Sequence, residues 1–461
     1  MMNKKRADVI EGSSGNEGDF TPDPMLSRRL EWFRDLKFGL FMHWGAYCQW
    51  GCIESWPLVE EDTWARPDDL APWQECDRDL DEFRRRYWKL NETFDPSDFN
   101  PDRWANAAEK AGMKYVVFTT KHHDGFCMFD TQLTDYKITA PPCPFNRRES
   151  DPTHEVFETF RQHNFGIGAY FSKSDWHHPD YWDPERLRPD RNPNYDTSEE
   201  PEKWDRFVRF VHGQVEELMT GYGPVDILWL DGGQVRPPHQ DIRMDELARM
   251  ARSYQPELLI ADRTVGGQHE NYLTPEQEVP DNPPERAWES CITMGTGWSY
   301  RPDDDYKPAG ELIQLLVDVV SKGGNLLLNI GPSPEGRFAP EAHSRLEEIG
   351  AWMKINGEAI HGSRGVPETH PHGFSFTRKD ERLYAFWSQN ENGNLPVTLN
   401  LPVEADACLP EVELLGYGRL DCKESEKGLH VSIPPHTAAK PPTDYVSVFR
   451  TKGDGELTVK T

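Results

Sequence analysis

Four short stretches of the sequence carry the polar side chains best suited to chemistry, and each ends or follows an apolar run. His43 closes FGLFMHWG, and Lys121-His122-His123-Asp124-Gly125 follows YVVFTT. Asp231 ends the run in DILWLDGG, and Glu289 lies in AWESCI. An acid ending a buried apolar strand is costly unless it is hydrogen-bonded or used. The Gly232-Gly233 pair behind Asp231 lets the backbone turn and lets a ligand come close. If Asp231 and Glu289 face one cavity, they can flank a bond as a carboxylate pair. One attacks an anomeric carbon and the other protonates the departing oxygen, about 5–5.5 Å apart in a retaining reaction. The proton donor then needs a raised pKa, which burial or a neighbouring like charge supplies.

Each residue also has a plainer reading. His43 can be a hydrogen-bonded core histidine, Asp231 a helix cap, and Glu289 a solvated surface carboxylate. Adjacent histidines point to opposite faces within a strand, but at a strand end both can reach a ligand above it. His122 and His123 could instead hold a metal. The chain lacks the H-x-H pair and the later His and Asp positions that a metal-dependent barrel hydrolase supplies, so no metal is expected.

These residues need a scaffold that brings strand ends together. Near-continuous apolar runs at 38–44, 115–120, 167–172, 226–231, 258–262, 287–292 and 325–330 read as parallel strands buried on both faces. Helical patterns at 101–111, 155–163, 204–222 and 308–321 alternate with them, as in right-handed βαβ units. No Gly-rich dinucleotide loop follows the first strand, which favours a closed (β/α)8-like TIM barrel over an open sheet. The long polar stretches 49–96, 175–201 and 266–284 all follow candidate strands and would wall one end of it. A helix at 340–357 ends this region. Short segments at 374–377, 382–387, 397–401, 429–433 and 445–449 then read as an antiparallel β-sandwich. The expected organisation is a disordered lead-in at 1–24, a catalytic barrel at 25–360 and a β-sandwich at 361–461.

Composition narrows the classes. The 461 residues can bury a large core without disulfide or metal staples. Lys and Arg number 51 against 79 Asp and Glu, a net charge of −28 that repels nucleic acid and anionic membranes. The cysteines at 48, 52, 76, 127, 143, 291, 408 and 422 are scattered and fit a reducing compartment. The N-terminal residues lack an apolar signal segment, so a cytoplasmic location is expected. Aromatic residues, including 16 Trp, suit core packing and also the C–H faces of sugars. A homo-oligomer stays open, because nothing in the sequence fixes the oligomeric state.

Six blocks in order carry a family resemblance: WFRDLKFGLFMHWGAY, AEKAGMKYVVFTTKHHDGFCMFDTQLTDY, YFSKSDWHHPDY, YGPVDILWLDGG, SKGGNLLLNIGPSPEGR and INGEAIHG. Through them the chain resembles the α-L-fucosidases of glycoside hydrolase family 29 from Trp32 to about Gly362. The resemblance implies a retaining exo-glycosidase that removes terminal α-L-fucosyl residues from a fucosylated oligosaccharide or glycoconjugate, with no cofactor. It puts Asp231 at the nucleophile position and Glu289 at the acid/base position. It puts His43, His122, His123, Tyr170, Trp229 and Arg263 in the fucose pocket. The family's adjacent Glu-Trp pair is spread here over Glu54-Ser55-Trp56, which leaves Glu54 as an alternative acid/base. Two other readings stand beside this one: a fucose-binding protein without catalysis, and a same-fold glycosidase for a related sugar such as a galactoside.

Overall fold

The computed structural model describes residues 24–460 apart from 264, 367–372, 390–391, 407 and 454–455. The lead-in expected at 1–24 lies outside them except for Pro24, where a helix running to Leu36 begins. Seven parallel strands follow: β1 (Phe38–Met42), β2 (Tyr115–Lys121), β3 (Gly166–Ser172), β4 (Ile227–Asp231), β5 (Leu259–Asp262), β6 (Glu289–Thr293) and β7 (Asn325–Asn329). Their order in the sheet is β5-β4-β3-β2-β1-β7-β6. Every residue of β1, β2, β3, β5, β6 and β7 is buried. Such uniform burial follows when helices cover the outer face and side chains fill the inner one. The covering helices Pro101–Lys110 and Pro152–Gln162 start where the sequence places Asn100 and Asp151, whose side chains cap them. Leu80–Tyr87 and Met244–Tyr254 are further helices, within and after polar stretches that the apolar periodicity did not single out.

The sheet edges β5 and β6 do not pair with each other; an irregular segment fills the gap between them. Asn271 donates its backbone N–H to the Ile260 carbonyl at 2.8 Å, and its Oδ1 accepts the Ile260 N–H at 2.7 Å. Farther along, the segment bridges in parallel to β6 and its approach, Leu273 to Trp288 and Glu276 to Cys291. Pro275 sits between those bridges and has no N–H to give, so the ladder cannot run on as a regular strand. This segment occupies the eighth position expected of the barrel.

After the helix Pro340–Asn356 the chain enters an antiparallel domain. Its eight-stranded sheet and the ribbon of Val403–Ala405 with Leu457–Val459 enclose a second core that includes Phe376, Leu383, Leu401, Val431 and Phe449. Among the described residues no helix is long and apolar enough to cross a membrane.

Closure through Asn271 is open to test. Asn271→Ala strips the acceptor from the buried Ile260 N–H and from Arg252, whose Nη2 also donates to Asn271 Oδ1 at 2.9 Å. A loss of about 1–3 kcal/mol is expected in urea denaturation. Unchanged stability would mean that the barrel closes without this patch.

Candidate active site

The C-terminal strand ends surround one hollow of about 220 Å³. His43 follows β1, His122 and His123 follow β2, Tyr170 lies on β3, Trp229 and Asp231 on β4, and Arg263 follows β5; all of them line it. The register of β2 against β3 shifts between Thr119 and Lys121, just before the histidine pair. That irregularity and the strand's end let two adjacent imidazoles reach the same cavity.

Asp231 is the most strongly held group. Its Oδ2 accepts from the Tyr170 hydroxyl at 2.7 Å, and its Oδ1 accepts from Gly232 N–H at 2.7 Å and Arg263 Nη1 at 3.2 Å. Gly232 adopts φ +86°, a left-handed turn that glycine takes at little cost. Burial works to raise the Asp231 pKa. The Arg263 cation, His123, the Tyr170 hydroxyl and the Gly232 amide outweigh it and hold the carboxyl well below its ordinary range. The product is a carboxylate that stays ionised inside a largely buried cavity.

The three histidines are kept neutral. Burial lowers His43 and His123 to about 4, and burial with its imidazole neighbours lowers His122 well below its usual value. Two tautomers follow from the hydrogen bonds. Asn329 Nδ2 donates to the Trp298 carbonyl at 2.6 Å, so its Oδ1 faces His43 Nδ1 at 2.7 Å and that nitrogen donates. Ser172 Oγ donates to the Ser174 carbonyl at 2.7 Å, so it accepts from His123 Nδ1 at 2.6 Å. Both rings therefore keep Nε2 as an acceptor, suited to an incoming hydroxyl donor. His122 Nδ1 is held by the Ser55 hydroxyl. Phe41, Trp229 and Trp298 give the same hollow an apolar wall, with Trp229 stacked on Tyr170 at 5.4 Å.

Glu289 is not in this hollow. It opens β6 rather than ending it, at the foot of the barrel, where it pairs with Asn325, the first residue of β7. Fully buried, it accepts from the Tyr115 hydroxyl at 2.7 Å and from Trp229 Nε1 at 3.1 Å. The Trp229 ring thus lines the cavity and bonds Glu289 outside the cavity lining. Burial, eased by those two donors, leaves the carboxyl at about 7. The expectation that Asp231 and Glu289 share one cavity is corrected accordingly. Glu54 is also buried away from the cavity lining, where its Oε1 accepts the Ser299 N–H at 2.6 Å and ties two loops together.

Two other carboxylates line the cavity, Glu276 and Glu278, both from the segment that closes the barrel. Glu276 pairs with Arg263 Nη2, while Nη1 of the same guanidinium holds Asp231. Sequence reasoning passed over both, although they lie in the 266–284 stretch read as a cavity wall. Trp56, Arg191 and Trp298 line the cavity as well. His122, His123 and Asp231 offer ligand atoms within 4.8 Å of one another, a spacing that a metal ion fits. The Arg263 cation already neutralises Asp231, and a divalent ion beside it would meet like charge.

A buried structural acid makes a pH prediction. Glu289 rises from 4.5 to about 7 on folding, so the stability of its protonated form is present below 4.5 and lost as pH climbs toward 7. Glu289→Gln mimics the protonated form. It should leave the fold intact and exceed the wild type by about 3 kcal/mol at pH 8, the gain shrinking toward pH 4.5. Urea denaturation across that range checks it. A difference that does not vary with pH would contradict the assignment.

Comparison with known proteins gives the family. The sequence profile for alpha-L-fucosidase matches residues 17–358. Human tissue alpha-L-fucosidase is 30% identical over 458 residues, covering 94% of this chain and 92% of that protein. The structure of alpha-L-fucosidase isoenzyme 1 from Paenibacillus thiaminolyticus superposes with a TM-score of 0.76 at 32% identity, covering 93% of this chain and 100% of that one. Thermotoga maritima alpha-fucosidase in complex with fucose superposes with a TM-score of 0.71 at 26% identity, covering 92% of this chain and 98% of that one. The chain belongs to the alpha-L-fucosidase family.

Proposed function

We propose that the protein is a retaining exo-α-L-fucosidase in which Asp231 is the nucleophile and Glu276, not Glu289, is the acid/base. The observation that carries this reading is the shared guanidinium of Arg263, with Asp231 on one terminal nitrogen and Glu276 on the other. Two carboxyls a guanidinium's width apart are at the scale of the about 5–5.5 Å that double displacement uses. Glu278 also lines the cavity, but Arg263 ties Glu276 to Asp231.

In the first half-reaction an Asp231 oxygen forms a bond to the anomeric carbon of the terminal fucose. The bond from that carbon to the leaving oxygen breaks, and Glu276 gives its proton to that oxygen. In the second half-reaction Glu276 takes a proton from water, whose oxygen attacks the same carbon and releases Asp231. Two inversions return the original anomeric configuration. The neutral imidazoles of His43 and His123 accept hydrogen bonds from the sugar hydroxyls. Phe41, Trp229 and Trp298 favour a C5-methyl over a polar hydroxymethyl group, which supports fucose over galactose. A hollow of about 220 Å³ suits one terminal sugar, hence exo action.

Asp231→Gly is expected to abolish hydrolysis of every fucoside. Glu276→Ala is expected to lose about two to four orders of magnitude in kcat/KM on natural glycans. With an activated leaving group the Glu276→Ala loss in kcat/KM should be far smaller, and azide should restore turnover as fucosyl azide. If Glu276→Ala is silent and Glu289→Gln or Glu278→Ala shows that leaving-group pattern, the acid role moves to whichever residue shows it.

A further inference from the structure

At the edge of the hollow, two surface loops are fastened into a platform that reaches past the lining of the hollow to Trp64. Trp64 is exposed (37%), alone among the tryptophans of the described residues. Its ring lies 6.2 Å from that of Trp56, and Trp56 lines the cavity 5.0 Å from the His123 ring. Arg191 comes from the other loop, lines the same cavity, and lays its guanidinium on Trp56 at 4.2 Å.

One buried acid joins these groups. Asp62 accepts from Trp64 Nε1 at 3.0 Å and from Arg191 Nη2 and Nε at 2.8 and 2.9 Å. The surrounding backbone is stapled in turn. Arg66 donates to the carbonyls of Pro57, Val59 and Glu60 at 2.6–2.7 Å. Arg84 bridges the carbonyls of Leu58 and Arg188, both at 2.8 Å, and Glu61 N–H reaches the Pro189 carbonyl at 2.9 Å. Exposing an indole face and fixing it in place has an ordering cost, and a bound partner with an apolar face offsets it.

Resting on the fucosidase reading above, we propose that Asp62 assembles Trp64, Trp56 and Arg191 into a subsite for the sugar that carries the fucose, and that this sugar is neutral. The C–H face of that ring stacks on Trp64, at the exposed end of an aromatic path that begins at His123. Neutrality follows from the charges. The Arg191 cation is already answered by Asp62, and an acidic sugar in the cavity would meet Glu276 and Glu278. Trp56 and Arg191 join the subsite to the fucose hollow, and Trp64, outside the lining of that hollow, makes the protein selective for the leaving group.

The test compares α-L-fucosyl fluoride, which has no sugar leaving group, with neutral trisaccharides bearing terminal fucose in each of its linkages and with their sialylated or sulfated counterparts. The wild type should turn over at least one neutral trisaccharide faster than its acidic counterpart. Trp64→Ala should lower kcat/KM on that trisaccharide about 10-fold, mainly through KM. It should leave fucosyl fluoride within about twofold, with Tm unchanged, and Trp64→Phe should restore most of the loss. A Trp64→Ala enzyme unaffected on every trisaccharide, or impaired equally on the fluoride, would overturn the proposal. So would a wild-type preference for the acidic sugars. Failure of the wild type on the fluoride as well would instead bring down the fucosidase reading itself.

Discussion

An ionised carboxylate in a buried hollow is the constraint around which this molecule is arranged. Asp231 has lost most of its water, and burial alone would neutralise it. Arg263 supplies the compensating charge, Tyr170 and the Gly232 amide supply donors, and His123 stands 3.8 Å away. Each comes from the end of a different strand or the turn after it. Those strands, β2 to β5, are consecutive neighbours in the parallel sheet, which sets their C-terminal ends side by side. The apolar strands fix the residues that hold this charge, and the segment between β5 and β6 adds Glu276 on the far side of Arg263.

The same environment sorts three carboxylates into three situations. Asp231 is paired with a cation and stays charged. Glu289, sealed at the barrel foot with two neutral donors, is pushed toward the protonated form. Glu276 lines the same hollow and shares the cation of Asp231. Residue type says nothing about this division; solvent access and neighbouring charge decide it. In such a site a raised pKa is not by itself the mark of a catalytic acid, because a structural acid buried at the barrel foot acquires one too.

Much of this was legible in the chain. Seven apolar runs end where β1 to β7 do within two residues, since strands buried on both faces must be apolar throughout. His43, His122, His123 and Asp231 stood out because polar groups at the ends of such runs need a reason to be there. Glu289 misled because the run at 287–292 reads as one strand with the acid inside it. Its level in the barrel is set by pairing with Asn325 across the sheet, which no local pattern encodes. Glu54 is placed by Ser299, 245 residues away. Glu276 was hidden because Pro275 breaks the strand pattern of the segment that carries it, so that stretch read only as a polar loop.

The central claim is that Asp231 attacks the anomeric carbon. It is tested most directly by trapping the enzyme with a 2-fluoro-α-L-fucosyl fluoride, which slows both half-reactions, and mapping the adduct by mass spectrometry. A single fluorofucosyl group on the peptide containing Asp231 is the predicted result. An adduct on any other carboxylate, or turnover without an adduct and with inversion at the anomeric carbon, would contradict the account.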